Sequence, residues 1–251
     1  MLSEIKNIEI ILRKYQNHET KQNSAFLESY YNTKCEVLGL SLPLQRKISK
    51  DGFSFSSQPL NEQFKIWSSV YLSSNLHEAK FQALFFVQGG MKKIDHRDVW
   101  QEVKNWVHGI DNWAHSDLLS SIYSIILEQE PELIYPELKK WNKSENLWVR
   151  RQSVVSLLYY KRNRKNFILF EHMIVLVENL LTDEAYYVQK GVGWTLRELW
   201  QVDDQKTFDF IDKNLHLITS VAFTAAVEKV PADIKQAWKE KRKLNRIKSK
   251  K

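Results

Sequence analysis

The chain is poor in cysteine, glycine and proline. Cys35 is the one cysteine among 251 residues, so neither an internal disulfide framework nor a cysteine-rich zinc site can form, and a reducing compartment is expected. With 7 glycines and 5 prolines there is little turn chemistry for a hairpin-rich β protein, and no stretch shows sustained period-2 alternation with turn pairs. Long apolar runs are also missing. The N-terminus, MLSEIKNIEIILRK, interleaves charge with apolar residues and reads as neither a signal peptide nor a membrane anchor. The histidines show no HExxH-type ligand spacing, so no metal is expected, and no other cofactor motif is present. The QGG at 88–90 lacks the strand–turn–helix setting of a phosphate-binding loop. Cys35 has no histidine beside it in sequence and reads as a buried, inert thiol.

What is present is an ordinary globular balance, 43% hydrophobic and 27% charged, ample for a packed core. Net charge is +7, and part of the excess is a tail, KEKRKLNRIKSKK (239–251), with eight lysines and arginines and one acid. A basic balance of this kind attracts polyanions, so DNA, RNA and acidic membrane surfaces are the partner classes to weigh against a merely solubilising end. The expected localisation is cytoplasmic.

Apolar residues recur with the 3.6-residue period in segments separated by short polar breaks, many opening with a Ser, Asp or Asn placed to cap a helix. The pattern predicts helices over 2–16, 21–34, 43–51, 61–73, 77–89, 97–107, 112–128, 132–141, 145–161, 167–181, 185–201, 204–214, 219–229 and 232–247, with DGFSFSSQP (51–59) as a loop. Four of these segments are similar in pattern: HEAKFQALFF from 77, NWAHSDLLSS from 112, LWVRRQSVVS from 147 and YYVQKGVGWT from 186, recurring after 35, 35 and 39 residues. That period belongs to two-helix repeats of the HEAT or armadillo kind. The expected fold is therefore all-α, a superhelical stack of HEAT-like helix pairs (an α-solenoid) with a concave basic groove lined by the second helix of each pair. Residues 1–238 would form a single HEAT-like repeat domain and 239–251 a basic C-terminal tail.

Helical wheels single out a few residues. In the helix from Asn112, Leu118, Leu119, Ile122, Ile125 and Ile126 form the core stripe, while Trp113 and Asp117 lie opposite with Ser120, Ser121 and Ser124. A spacing of four brings indole and carboxylate within contact range. In the helix from Ala185, Trp194 lies opposite the stripe of Val188, Val192, Thr195, Leu196 and Leu199, above Tyr187 and beside Lys190, Arg197 and Glu198. Two tryptophans on equivalent helices thus face away from their own cores, expected toward one groove. Each could fill a gap against a neighbouring helix, but indoles among basic residues also suit stacking on bases or facing a cation. Arg151 falls within an apolar arc beside Leu147, Val154, Val155 and Leu158, where a guanidinium requires a partner, either a structural salt bridge, a carboxylate such as Asp117, or a phosphate. Arg150 is expected nearer to solvent.

These residues sit in a chain that resembles the DNA alkylation repair glycosylases of the AlkD-like class, a family built from HEAT-like repeats. The resemblance runs through most of the chain and is carried by VLGLSLPLQRKISKD (37–51), NWAHSD (112–117), PELIYPELKKWNKSENLWVRRQ (131–152) and VQKGVGWTLRE (188–198). By position, it implies that Asp117 is the catalytic aspartate, Trp113 the aromatic residue one turn before it and Trp194 the second active-site tryptophan. It also implies that Arg151 helps to bind DNA beside the lesion, and that Tyr30 stands for a lesion-side tyrosine. Arg150, Lys190, Arg197, Arg46 and Lys47 complete the expected DNA-binding set. At Asn112 the sequence departs from close relatives, which carry a second tryptophan there; this bears on lesion range and efficiency. The activity implied is hydrolysis of the N-glycosidic bond of N3- or N7-alkylated purines in duplex DNA, without full base flipping, strand cleavage or cofactor, by a monomer associated with the nucleoid through its DNA. Two alternatives are a non-catalytic HEAT-repeat protein recognising distorted or branched DNA, and a HEAT-type protein-interaction adaptor.

Overall fold

A computed structural model describes residues 2–158 and 168–248, the side chains of 246–248 excepted. The chain divides into two compact units, residues 1–122 and 123–251, with the boundary inside one helix. The first unit contains α1 (Leu2–Arg13), α2 (His18–Tyr31), α3 (Leu42–Asp51), α4 (Leu60–Ser73), α5 (His77–Gly90), α6 (His96–Val103), a 3₁₀ turn (Lys104–Gly109) and the first part of α7 (Trp113–Gln129). The second contains the rest of α7 with α8 (Pro131–Trp141), α9 (Leu147–Val155), α10 (Phe170–Glu178), α11 (Tyr186–Leu199), α12 (Asp204–Asn214), α13 (Ser220–Ala226) and α14 (Ala232–Lys248). The fold is all-α: the described residues hold no strand, only an isolated parallel bridge between Glu36 and Leu76. Among them no helix is long and apolar enough to cross a membrane.

In the first unit α5 packs on α3 and α4, and α1 lies against α4 and α5. Its core is aromatic: Phe53, Phe55 and Trp67 meet at 5.2–5.9 Å, and Tyr71 stacks on Trp106 at 4.6 Å and 12°. The segment after α2 is held in an unusual way. The backbone N–H groups of Leu38, Gly39 and Leu40 all donate to the carboxylate of Glu78, a residue of α5 that is 1% exposed. Burial raises the pKa of that carboxyl, and the three backbone donors pull it back. In the second unit the later helices of successive pairs lie side by side, α9 against α11 and α11 against α13, while α8 backs α9 and α10 backs α11. This is the stacking that a two-helix repeat produces.

Two glycines of α11 set the closeness of that stacking. A Cβ on Gly193 would lie 2.3 Å from the carbonyl oxygen of Ala222 in α13, and one on Gly191 would meet Val155 Cγ1 at 3.1 Å and Arg151 Nη1 at 3.2 Å. The glycines of VQKGVGWT are therefore contact surface for the helices on either side. The basic stretch from Lys239 continues α14 as far as Lys248, and Arg242 within it is 8% exposed, its Nη1 donating to the carbonyls of Leu215 and Ile218 at 2.7 and 2.6 Å.

Local differences from the expected helices have local causes. α2 starts at His18, three residues early, because Asn17 and Thr20 form a reciprocal capping box at 3.0 and 2.8 Å. It stops at Tyr31 because Asn32 turns left-handed, with φ 53°. The single helix expected over 97–107 breaks at Val103 into the 3₁₀ turn. There Trp106 and Val107, consecutive and both fully buried, are accommodated by tighter winding, and Trp106 Nε1 donates to Ser68 Oγ at 3.0 Å. α9 and α10 are shorter than expected; residues 159–161 of the first expectation and 167 of the second lie outside the described residues.

Candidate functional site

In the first unit the site residues gather at the start of α7. Asn112 caps this helix, its Oδ1 accepting the His115 N–H at 3.0 Å. Trp113 follows, half-buried, with its indole N–H donating to the carbonyl of Tyr30 at 3.0 Å. The exposed Tyr30 ring meets Trp113 edge-on at 5.2 Å and 86°, and Tyr31 lies against it at 5.6 Å and 54°. On its inner side Trp113 packs on the cluster of Phe81, Phe85 and Ala114. Asp117, one turn further, is also half-buried. The structure thus brings Tyr30, Trp113 and Asp117 to one end of α7, although Tyr30 lies far away in sequence.

The face carrying Trp113 and Asp117 is otherwise not the open polar surface the wheel predicts. Ser116, Ser120, Ser121 and Ser124 are buried. Ser120 and Ser121 return their hydroxyls to the carbonyls of Asp117 and Leu118, at 2.8 and 2.7 Å, and Gln88 Nε2 donates to Ser121 Oγ at 3.2 Å. Such back-bonding satisfies the hydroxyls inside the helix, so a small serine face can be buried like alanine. Trp113 and Asp117, in its first turns, are partly exposed.

Beneath Trp113 lies a buried polar cluster that the sequence did not announce. Asp111 accepts from Asn112 Nδ2 at 2.6 Å, from the Lys34 N–H at 3.1 Å and from the Thr33 hydroxyl, and faces His115 Nδ1 at 3.0 Å. His115 stacks on His77 at 4.5 Å and 25°, and His77 on Tyr31 at 4.5 Å and 19°. Burial lowers the pKa of both histidines, so they are neutral at pH 7. Burial would raise that of Asp111, but the bonds from His115 and Thr33 outweigh it and hold the carboxylate far below its ordinary range. Cys35, nearby, is buried, and desolvation followed by the Asp111 charge pushes its thiol up to about 12, which leaves it unreactive.

In the second unit Arg151 is 3% exposed. It lies across Gly191, with Nη1 donating to the Tyr187 carbonyl at 2.7 Å. The rings of Trp148 and Tyr187 meet beside it at 4.9 Å. Trp194 is half-buried and Lys190 exposed. Two other expected cations are committed within the unit. Arg150, expected nearer to solvent, grips the Asp183 carboxylate through Nε and Nη2 at 2.6 and 3.3 Å, and its Nη1 donates to the carbonyls of Ser144 and Glu145, both at 2.8 Å. The reason is Asp183 itself, whose side chain is 9% exposed and needs a counter-charge. Arg197 is held between Glu198 and Glu228. In the first unit Lys47 is exposed, and Arg46 lies over the Phe85 ring at 4.5 Å. No group of three His, Cys, Asp or Glu side chains that could hold a metal occurs among the described residues.

Comparison with known proteins agrees with this organisation. Among solved structures, the chain is similar to a predicted DNA alkylation repair enzyme from Enterococcus faecalis, with 15% identity, TM-score 0.68, and coverage of 86% of this chain and 97% of that one. It is similar to AlkD2 from Streptococcus mutans at 19% identity and TM-score 0.53, covering 85% and 100% of the two chains. The smu.31 protein of Streptococcus mutans UA159 gives 20% identity and TM-score 0.53, over 84% and 100%. These likenesses establish the helical fold. No curated protein matches. The model of one family, described as DNA alkylation repair enzyme, matches residues 11–230. The stacked helix pairs and that match over nearly the whole chain place it: this chain belongs to the DNA alkylation repair enzyme family.

Proposed function

We propose that the protein is a monofunctional DNA glycosylase that hydrolyses the N-glycosidic bond of N3- or N7-alkylated purines in duplex DNA, without flipping the base fully out of the stack. The observation that carries this reading is the pinned indole beside a carboxylate: Trp113, fixed by its N–H bond to Tyr30, one helical turn from the half-buried Asp117.

Alkylation at N3 or N7 leaves the purine cationic, so the base departs with the bonding electrons as a neutral molecule and needs no strong general acid. As the C1′–N bond breaks, positive charge spreads over C1′ and the ring oxygen of the sugar. Asp117 supplies the opposing charge where water is partly excluded, and holds a water molecule whose oxygen forms the new bond to C1′ and whose proton leaves through the carboxylate to solvent. The faces of Trp113 and Tyr30 add cation–π attraction to the same developing charge. No amine nucleophile is involved, so the strand stays intact. Arg151 and Lys190 of the second unit, and Arg46 and Lys47 of the first, serve the grip on DNA. A site of half-buried residues needs no deep pocket, which suits a lesion that stays in or near the stack.

The deciding experiment is base release from a duplex containing one 7-methylguanine, by wild type and Asp117→Asn in parallel. Release by wild type, with a fall of at least about tenfold in the variant and unchanged DNA affinity, is expected; that is roughly 1.4 kcal/mol or more of barrier stabilisation. Equal release by both would remove Asp117 from the mechanism. Release by neither, with salt-sensitive duplex binding intact, would favour the non-catalytic DNA-binding protein.

A further inference from the structure

Trp113 stands against Tyr30 and Tyr31, yet these aromatic residues belong to two chain segments far apart in sequence. One carboxylate joins their bases. Asp111 accepts from Thr33 and Lys34, which directly follow the Tyr30–Tyr31 pair and the left-handed cap at Asn32, and from Asn112, which directly precedes Trp113. A second route runs from Asp111 through His115 and His77 by ring stacking to Tyr31, which touches Trp113. We propose that Asp111 is the positioning residue of the site: by tying the end of α2 to the start of α7 it sets the orientation of Trp113 against Tyr30 and Tyr31.

A half-buried acid serving stability alone could draw its donors from anywhere around it. Here the donors come from residues within three positions of the aromatic wall, and the histidine pair fills the space between. His115 Nδ1 lies 3.0 Å from Asp111 Oδ1 and 2.9 Å from Asn112 Nδ2, so the ring is held at the junction of the two residues, while its opposite nitrogen, Nε2, is buried without a hydrogen-bond partner among the described residues. Asn112 occupies the position where a tryptophan is expected in close relatives. In this chain it gives up ring area and instead bonds to Asp111 and caps α7.

The part of this proposal that concerns reaction rate rests on the glycosylase reading; the part that concerns orientation does not, and the test separates them. Thr33→Val removes the hydroxyl donor without changing shape much, Thr33→Ser keeps it, and Asp111→Asn removes the charge. The chain has nine tryptophans. With 15N-labelled tryptophan, the Trp113 indole N–H is assigned by its loss in Trp113→Phe, and the other eight serve as controls. In Thr33→Val that one resonance is expected to move and its N–H to exchange about tenfold faster. Single-turnover base release is expected to slow by about tenfold, as misplacement of a positioned group does, at unchanged DNA affinity and salt slope. Thr33→Ser should restore both. An unmoved Trp113 resonance in Thr33→Val and in folded Asp111→Asn would overturn the proposal, as would equal movement of all nine indoles, which would mark general loosening. If wild type releases no base, the indole resonance still decides the positioning role, and only the glycosylase reading fails.

Discussion

The packing of α11 on α13 can be tested by placing one methyl group at two sites. At Gly193 a Cβ would lie 2.3 Å from the Ala222 carbonyl oxygen and 2.8 Å from its Cα, both backbone atoms of α13 that no side-chain rotation can move. Gly193→Ala therefore requires the two helices to part. Overpacking of this kind costs about 3 kcal/mol at the upper end of its usual range. Replacing a mid-helix glycine by alanine returns about 1 kcal/mol, leaving a net loss of about 2 kcal/mol. At Gly89, near the end of α5, a Cβ meets nothing within 4 Å, so Gly89→Ala keeps the propensity gain, smaller so near a helix end, at about 0.5 kcal/mol. The assay is thermal unfolding followed by circular dichroism. At roughly 2–4 °C per kcal/mol for a chain of this size, Gly193→Ala should lower Tm by about 4–8 °C and Gly89→Ala should raise it by about 1–2 °C. Equal shifts, or an unchanged Gly193→Ala, would show that α13 is not seated on α11 as described.

Acid should weaken the fold in two steps. The histidines His77 and His115 have depressed pKa values, so the unfolded chain binds their protons first; stability is full above about 6.5 and falls below it, by up to about 1.4 kcal/mol per pH unit for each. Asp111, also depressed, adds a further loss below about 3.9. Urea midpoints at pH 7.5, 6 and 5 should show this, and His77→Phe, which keeps a stacking ring, should flatten the upper step. Arg150→Ala should destabilise by about 2 kcal/mol, because it strands the Asp183 carboxylate; a duplex-binding salt slope that stays the same in a folded Arg150 variant would agree with its internal role. Lys190→Gln, by contrast, should leave Tm within about 1 °C and reduce the salt slope by about 1, a change that filter binding between 50 and 200 mM salt resolves.

The helical class and most helix positions were legible because the 3.6-residue period and the caps act locally. Asp203, for example, caps α12 through the Lys206 N–H at 2.9 Å, as an aspartate before an apolar pattern should. Where distant residues decide, the sequence reads poorly. The wheel assigned Ser120, Ser121 and Ser124 to water because it registers polarity, not whether a neighbouring helix comes close enough to cover them. Arg150 and Arg151 are adjacent cations on one helix, yet their partners, Asp183 and the Tyr187 carbonyl, lie more than 30 residues on. Tyr30 and Trp113 were each singled out, but only folding brings them together. Tyr31, Asp111 and His77 were not, and the one available signal was the density of hydrogen-bonding side chains around Trp113 in IDNWAHSD.

The bond from the Trp113 indole to the Tyr30 carbonyl also limits what the residue can say to a ligand. Its only donor is spent inside the protein, so the ring presents an electron-rich face and nothing that reads the edge of a base. A surface of that kind answers to charge and shape and is deaf to sequence. If damage is what it meets, adenine and guanine lesions of equal charge should be equals to Trp113, and any preference between them must be written elsewhere in the molecule.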